Sequence, residues 1–559
     1  MRLDTIQAGD FLRLSAQRFP DRDCFVFDDG SSRSFAEVNR RVNQLADALG
    51  RRGVRKGDRV AILATDSGEY VEVMLACMKL GVVYVPLNNR LTDAEVLTLL
   101  RRAEPKAVFA SSRYAARVAA LAASLDGVVL TSSLDGADLL PFGDLLAEGT
   151  DAEPLVDVED EDVLALAFTS GTTGLPKGVL QSQRMINALT LQMSVDYEIL
   201  LDEFRYTASP AFHIAGQAMI FMHVQRGFPT LILPQFEEGA VLRWMQGGRL
   251  TGVFLVPTMI TRLLDDPRVH QGSYDRLRSV IYGASPMSPA LLRRAMSVFG
   301  CDFINAFGAA TEGGLQTSLS PADHRRAAAG AEHLLGSIGK PAFAVDLRLV
   351  DESGKDVARG EVGEIITRSR AVMSGYLAMP SESAQALRDG WFWGGDLARM
   401  DADGYLYLAG RSKDMIIRGG ENVYPVEIET VIADYPGVTA VAVVGQPDEH
   451  WGEIVVAFVT VAPGAAVEQE ALRSFCRERL ASYKVPAVVT VIAEMPLNAS
   501  GKILKRELRA RLEAATGSEA GGGPAPGGPV PGGPAPGGPA PGGSAPAGTS
   551  RPPDASTSQ

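Results

Sequence analysis

Short apolar runs that alternate with amphipathic stretches constrain this chain more than any other feature. Residues 59–64 (RVAILA) read as a strand, 69–80 as a helix, 82–86 (VVYVP) as a strand, 91–103 as a helix and 107–110 (AVFA) as a strand. The rhythm returns at 230–233 (TLIL), 253–256 (VFLV) and 279–282 (SVIY), each followed by Pro or Gly. Strands separated by helix-length segments pair in parallel, and the intervening helices cover the sheet. The expected fold class is therefore α/β, with a large N-terminal domain of helix-covered, mostly parallel sheets. Ligands of such sheets bind beyond the carboxyl ends of the strands.

Further on, the pattern shortens. Residues 345–350, 364–367 and 405–408 alternate, with turns at 351–354 (DESG) and 401–404 (DADG) between them, which predicts a small antiparallel, β-barrel-like subdomain. Strands at 440–444, 455–461 and 488–492, with a helix over 469–480, predict a small mobile α+β C-terminal domain. The segment 410–422 (GRSKDMIIRGGEN) joins the two and reads either as a hinge or as a tight charged turn. The expected organisation is an N-terminal domain over 1–411, a C-terminal domain over 412–515 and a disordered tail over 516–559. In that tail only Gly, Pro, Ala and Ser are abundant, so nothing can bury a core.

Charge narrows the function classes. With 67 acidic and 54 basic side chains, the net charge is −13, which disfavours a nucleic-acid partner. Cys24, Cys77, Cys301 and Cys476 lie far apart and share no ligand spacing with the six histidines, so free thiols in a reducing compartment are expected. The opening MRLDT lacks the apolar core of a signal peptide, and no run of about 18 apolar residues would span a bilayer. A cytoplasmic protein without a transmembrane segment is expected, and peripheral contact with a membrane is compatible with it.

The densest chemistry is at 169–178 (TSGTTGLPKG), directly after the apolar run 163–168 (VLALAF). The hydroxyls of Thr169, Ser170, Thr172 and Thr173 meet three glycines, Gly171, Gly174 and Gly178, and the ammonium of Lys177 within ten residues. Glycines let successive N–H groups point into one concavity, which suits a polyphosphate. The Walker spacing fails, since Leu175 and Pro176 separate Gly174 from Lys177 and no hydroxyl follows the lysine. The alternative is a solvated turn.

Other motifs need the same weighing. His213, in 210–216 (PAFHIAG), is either functional or a satisfied core histidine. The turns at 282–286 (YGASP) and 305–308 (NAFG) admit a flat ring against the backbone, with Phe307 as a stacking face, or are plain strand–helix turns. Glu312 near a phosphate loop points to a bridging Mg²⁺, because the ligand would otherwise repel it. Asp396, in 389–396 (DGWFWGGD), suits a ribose diol. Lys502 sits on a glycine turn before a helix predicted over 503–514, where a lysine is usually only solvated.

Taken together, these segments resemble the adenylate-forming superfamily of acyl-CoA synthetases, luciferases and nonribosomal peptide adenylation domains. The resemblance covers residues 10–512 and rests on five motifs in family order: TSGTTGLPKG, PAFHIAG, FGAATE, GWFWGGD followed by YLAGRSKDMIIRGGENVYPVEIE, and NASGK. It implies that a carboxylate attacks the α-phosphorus of ATP, giving acyl-AMP and pyrophosphate, and that a thiol, here of CoA, then displaces AMP. The substrates implied are ATP with Mg²⁺, a small-molecule carboxylic acid and CoA, and a homodimer is compatible with such a chain.

By the same resemblance, Thr169, Ser170, Gly171, Thr172, Thr173, Gly174 and Lys177 hold the β- and γ-phosphates and Glu312 their Mg²⁺. Gly283, Ala284, Ser285, Asn305, Phe307 and Gly308 form the adenine site. Asp396 and Arg411 hold the ribose, Thr311 reaches the α-phosphate, and Lys502 is the catalytic lysine. Lys413 is the hinge about which the small domain swings, bringing Gly419, Gly420 and Glu421 to line a pantetheine channel. His213 stands where that channel meets the acyl pocket. Two departures are visible: FGAATE is one residue longer than the family's usual aromatic-G-x-T-E, with Phe307 where tyrosine is commoner, and Gly394 replaces a threonine.

Pocket positions by the resemblance are Phe212, His213, Gln217, Val256, Pro257, Thr258, Ala309, Ala310, Gly313 and Gly314. None is a cation that could pair a second carboxylate, so a hydrophobic monocarboxylic acid, a fatty acid first, is expected. The alternatives are an acyl-AMP ligase loading a carrier protein, a ligase for an aryl or steroid-derived acid, and a luciferase-like oxygenase. A non-catalytic nucleotide binder would be expected to lack Lys502 or Glu312, and both are present.

Overall fold

A computed structural model describes residues 6–169, 176–199, 202–285, 287–419, 421–448, 450–462, 464–497 and 503–519. Met1–Ala510 form one compact unit, and Arg511–Gln559 a second that is described only where it completes the helix Lys505–Glu519. Among the described residues the strands form sheets of nine, eight, five and five strands.

In the nine-stranded sheet, Asp302–Phe307, Ser279–Gly283, Gly252–Leu255, Arg205–Thr207, Thr230–Ile232 and Asp23–Phe27 run parallel, with antiparallel strands at both edges. In the eight-stranded sheet Val163–Thr169, Val83–Pro86, Arg59–Leu63, Ala107–Ala110 and Leu130–Ser133 run parallel, with antiparallel strands at one edge only. Val83–Pro86 and Ala107–Ala110 are buried along their whole length, as their unbroken apolar runs require.

Two helices lie between these sheets. Gly68–Leu80 and Ile214–Arg226 are buried on nearly every face, and a helix apolar all round has to be enclosed. Their Met74, Cys77, Ile220 and Phe221 share one core with Val60 and Ile62 of one sheet and Phe25 and Ile281 of the other. The Tyr84 hydroxyl donates to Gln217 Oε1 at 3.0 Å within this layer. Separate cores cover the outer faces, one under helices such as Pro289–Phe299 and one under Asp93–Ala103. The result is five layers, helix, sheet, helix, sheet and helix, as the alternating pattern predicts.

The shorter pattern beyond residue 340 forms an antiparallel sheet of Asp346–Val350, Val362–Arg368, Leu387–Arg388, Trp391–Met400 and Leu406–Arg411. The C-terminal α+β unit has its own core of Ile428, Ile432, Val443, Val455 and Leu472. Its hairpin, Val438–Asp448 with Gly452–Val461, outruns the apolar run expected at 440–444. Pairing continues through polar residues there because Asp448 accepts the N–H groups of His450 and Trp451, at 2.9 and 2.8 Å, and so closes the turn.

Candidate active site

Strand Val163–Thr169 turns back on itself as Lys177–Ser182, antiparallel, with Thr169 opposite Lys177. The two strands flanking the candidate phosphate loop thus form an antiparallel pair, and the return strand is one that the residue pattern did not predict. Thr169 Oγ1 donates to the Lys177 carbonyl at 3.5 Å. Ser170, Gly171, Thr172, Thr173 and Gly174 lie outside the described residues, as do Gly420 and Lys502.

Beside this hairpin, a lysine stands over a phenol ring. The Lys177 ammonium is 4.6 Å from the centre of the Tyr376 ring. The Tyr376 hydroxyl is pushed up to about 12, by burial first and then by the Glu312 carboxylate, while Arg411 opposes the shift. Lys177 thus stands over the Tyr376 ring, Glu312 and Arg411 act on the phenol through their charge, and the strand Gly375–Tyr376 pairs with Lys177–Ser182. The Gln181 side chain donates to the Thr311 carbonyl at 3.1 Å, and the Met373 N–H to the Glu312 carbonyl at 2.7 Å. Tyr376 was not singled out in the sequence, where the only signal is an aromatic residue in the short run SGYL.

The adenine candidates line the ends of two neighbouring parallel strands. Gly283 ends one, and a Cβ there would lie 2.3 Å from the Ala306 carbonyl oxygen of the next. Ala284 follows with φ of +69° and is exposed, and Ser285 is half-buried. Asn305 Nδ2 makes a long 3.5 Å bond to the Tyr282 carbonyl, and its Oδ1 is buried with no hydrogen-bond partner. Gly308 approaches the Gly314 carbonyl so closely that a Cβ would sit 2.2 Å away.

The extra residue of FGAATE is absorbed in a tight turn. Both Glu312 and Gly313 donate their N–H to the Ala309 carbonyl, at 2.8 and 2.6 Å. Ala309 consequently packs against the cluster of Phe392 and Met373, whereas Ala310 packs against the central core, as Val256 and Ala306 also do.

Asp396 and Arg411 pair across adjacent strands in register, with Nε 2.9 Å from the carboxylate. Arg411 also donates to the Gly394 carbonyl at 2.6 Å. Glu364, which accepts the Gly395 N–H at 3.0 Å, is pushed up by burial. Lys413 lies in the short helix Ser412–Asp414, and burial, then the Arg411 charge, lower its pKa. Gly419 has φ of +60°, and a Cβ on it would meet the Trp451 ring at 2.9 Å. Glu421 is exposed on strand Glu421–Val423.

Among the acyl-pocket candidates, His213 precedes helix Ile214–Arg226 in extended conformation, its ring 5.0 Å from that of buried Phe212. Gly216 is required here, because a Cβ would lie 2.4 Å from the carbonyl oxygens of Ser209 and Pro210. Ala211, Ile214, Val256 and Ala310 share the central core. Three expected pocket residues stand apart from this group. Gln217 is fully buried and accepts from Tyr84, Thr258 is exposed, and the space above Gly313 is filled by the Phe392 ring, 2.5 Å from a built Cβ.

Comparison with known proteins gives the family. Residues 12–377 match the family described as AMP-binding enzyme, and residues 427–502 match the AMP-binding enzyme C-terminal domain. The chain is an AMP-binding enzyme. It belongs to the adenylate-forming superfamily, acyl-CoA synthetase type, and is an AMP-forming acid–thiol ligase. This AMP-binding enzyme is 38% identical over 483 residues to a feruloyl-CoA synthase of an Amycolatopsis species, spanning 86% of its own length and 94% of the relative's. It is 34% identical over 493 residues to the fatty acid–acyl-carrier-protein ligase ScoC of Streptomyces coeruleorubidus, 87% and 93% of the two chains. Among solved structures, ATP-bound MatB from Rhodopseudomonas palustris superposes with a TM-score of 0.83 at 30% identity, covering 91% of this AMP-binding enzyme and 100% of MatB. No helix among the described residues is long and apolar enough to cross a membrane. The four cysteines of the AMP-binding enzyme are free, and Cys24, Cys77 and Cys476 are buried.

Proposed function

We propose that this enzyme activates a hydrophobic monocarboxylic acid, a fatty acid first, to acyl-AMP and then transfers the acyl group to CoA. The turn 309–313 supports this reading: it packs Ala310 against the central apolar core, and two residues later it brings Glu312 near enough for its charge to act on Tyr376, over whose ring Lys177 stands. An apolar chain and a polyphosphate would thus meet at consecutive residues, with Thr311 between them.

In the first step a carboxylate oxygen bonds to the α-phosphorus as the bond to the bridging oxygen of the β-phosphate breaks, and pyrophosphate leaves. The loop from Thr169 to Gly174 and Lys177 would hold the departing phosphates. The buried Asn305 Oδ1 is an acceptor suited to the amino group of adenine, and Phe307 offers a ring face. The small turn Gly283, Ala284 and Ser285, with Gly308, would bound the base. Asp396, held by Arg411, would take ribose hydroxyls.

Glu312, a carboxylate near the proposed phosphate loop, would hold a Mg²⁺ that accompanies the nucleotide. Held by Glu312, the ion would supply positive charge to offset that of the phosphates. Lys502 would balance the charge that builds on the α-phosphate.

In the second step the CoA sulfur bonds to the acyl carbon, the bond to AMP breaks, and the thiol gives up its proton. The C-terminal domain, starting at residue 412, would turn about Lys413 and present Gly419, Gly420 and Glu421 to the pantetheine arm. His213 would stand where this arm meets the acyl group. An aryl acid is the second reading, favoured by the paired rings of Phe212 and His213 and by the feruloyl-CoA synthase relative.

Pyrophosphate release with acids from acetate to long-chain and aryl acids, with and without CoA, tests both. Release for hydrophobic acids with acyl-CoA accumulating is expected. Release that halts at acyl-AMP whether or not CoA is present would point instead to a carrier-protein ligase.

A further inference from the structure

We propose that Asp66 is a positioning residue for the acyl and thiol end of the site, its carboxylate holding the Ala211 N–H and thereby the turn that carries Phe212 and His213. This role rests on the acyl-transfer function given to that turn above. Asp66 stands just past the carboxyl end of strand Arg59–Leu63 in the eight-stranded sheet, and the turn follows Arg205–Thr207 of the nine-stranded sheet. The bond from Ala211 N–H to Asp66 Oδ1, 3.0 Å long, therefore ties one sheet to the other beside the site.

Both ends of this tie are braced. Next to Asp66, the Thr65 N–H donates to Ser111 Oγ and Asn89 Nδ2 donates to the Ala64 carbonyl, each at 2.9 Å. Next to Ala211, the His213 N–H donates to the Pro210 carbonyl at 2.9 Å, and Gly216 fits with no space to spare. A change in the grip of Asp66 is thus delivered to Phe212 and His213 and not absorbed locally.

Burial pushes the Asp66 carboxyl up to about 7, while the Ala211 N–H draws it down. Tyr70 on helix Gly68–Leu80 and Tyr206 on strand Arg205–Thr207 face it, and both phenols are raised, by burial first and then by Asp66, so they stay neutral. On the turn itself the titratable neighbour is His213. An ionised carboxylate holds an N–H more strongly than a carboxylic acid does, so the turn tightens as pH rises through 7.

Asp66→Asn keeps the size and the acceptor oxygen but cannot ionise, and Asp66→Ser is a second non-ionising acceptor. The folded-state pKa lies above the unfolded one, so ionisation of Asp66 costs stability, increasingly from pH 4 to 7 and constantly above. The melting temperature of Asp66→Asn is expected to gain on the wild type over that interval and to hold its lead above it. A gap that does not vary with pH would overturn the titration of Asp66, whatever the substrate.

In pyrophosphate-release assays, kcat/KM for the acid is expected to rise through an inflection near pH 7 in the wild type and to run flat in both variants, with KM for ATP within about twofold. Coincident profiles would overturn the positioning role and leave the proposed function standing. A wild type that releases no pyrophosphate with any acid would overturn that function, and the role of the turn with it.

Discussion

Arg411 Nε lies 2.9 Å from the Asp396 carboxylate, and the two residues face each other in register on neighbouring strands. Arg411 also reaches the Gly394 carbonyl, so one guanidinium fixes both the acid and the backbone two residues before it. The contact with Asp396 is an ion pair, and the bond to the Gly394 carbonyl is a charged hydrogen bond of about 1.5–3 kcal/mol, so Arg411→Ala is expected to raise KM for ATP by about tenfold and to leave KM for the acid nearly unchanged. Initial rates over an ATP series read this directly. An unchanged KM for ATP would remove the pair from the nucleotide site.

Asn305 separates binding from folding. Its Oδ1 is buried without a partner and its Nδ2 bond is long, so Asn305→Ala gives up little that holds the fold together. The expected loss of stability is about 1 kcal/mol or less, with affinity for ATP falling by about five- to tenfold as an acceptor for adenine disappears. Urea unfolding and nucleotide titration of the same variant check both. A large loss of stability with unaltered affinity would show a purely structural asparagine.

Gly216→Ala should act in the opposite sense. Its Cβ would enter the space of two carbonyl oxygens, at 2.4 Å each, and neither belongs to a flexible side chain. Crowding of this kind costs about 1–3 kcal/mol, and here it displaces the turn that carries Phe212 and His213. Denaturant unfolding is expected to show the loss, and acid-dependent pyrophosphate release to fall with it.

Lys502→Ala is expected to divide the two half-reactions. Adenylation should drop by about 10²-fold or more, as for the loss of a positive charge aimed at the transition state, while conversion of supplied acyl-AMP to acyl-CoA persists. Equal loss in both steps would reject a role confined to adenylation.

The fold class, the order of the motifs and the main glycine turns were legible in the sequence, because strand and helix periodicity and the need for a bare backbone are short-range signals. Alternating apolar runs such as 59–64 and 107–110 could hardly form anything but a covered parallel sheet. The return strand Lys177–Ser182 was not legible, because its pairing is dictated by its neighbour and not by its own pattern.

What only tertiary structure decided is which distant groups meet. The opposite directions taken by Ala309 and Ala310 depend on where a one-residue surplus is folded into a turn. The approach of Lys177 to Tyr376 depends on the pairing of two strands of one sheet, and the influence of Glu312 and Arg411 on that phenol on how two further sheets are placed beside it. Asp66 and Ala211 lie 145 positions apart, and neither is unusual in its local sequence. Their contact follows from the packing of two sheets on shared helices, where a one-residue slip would turn each side chain to the other face.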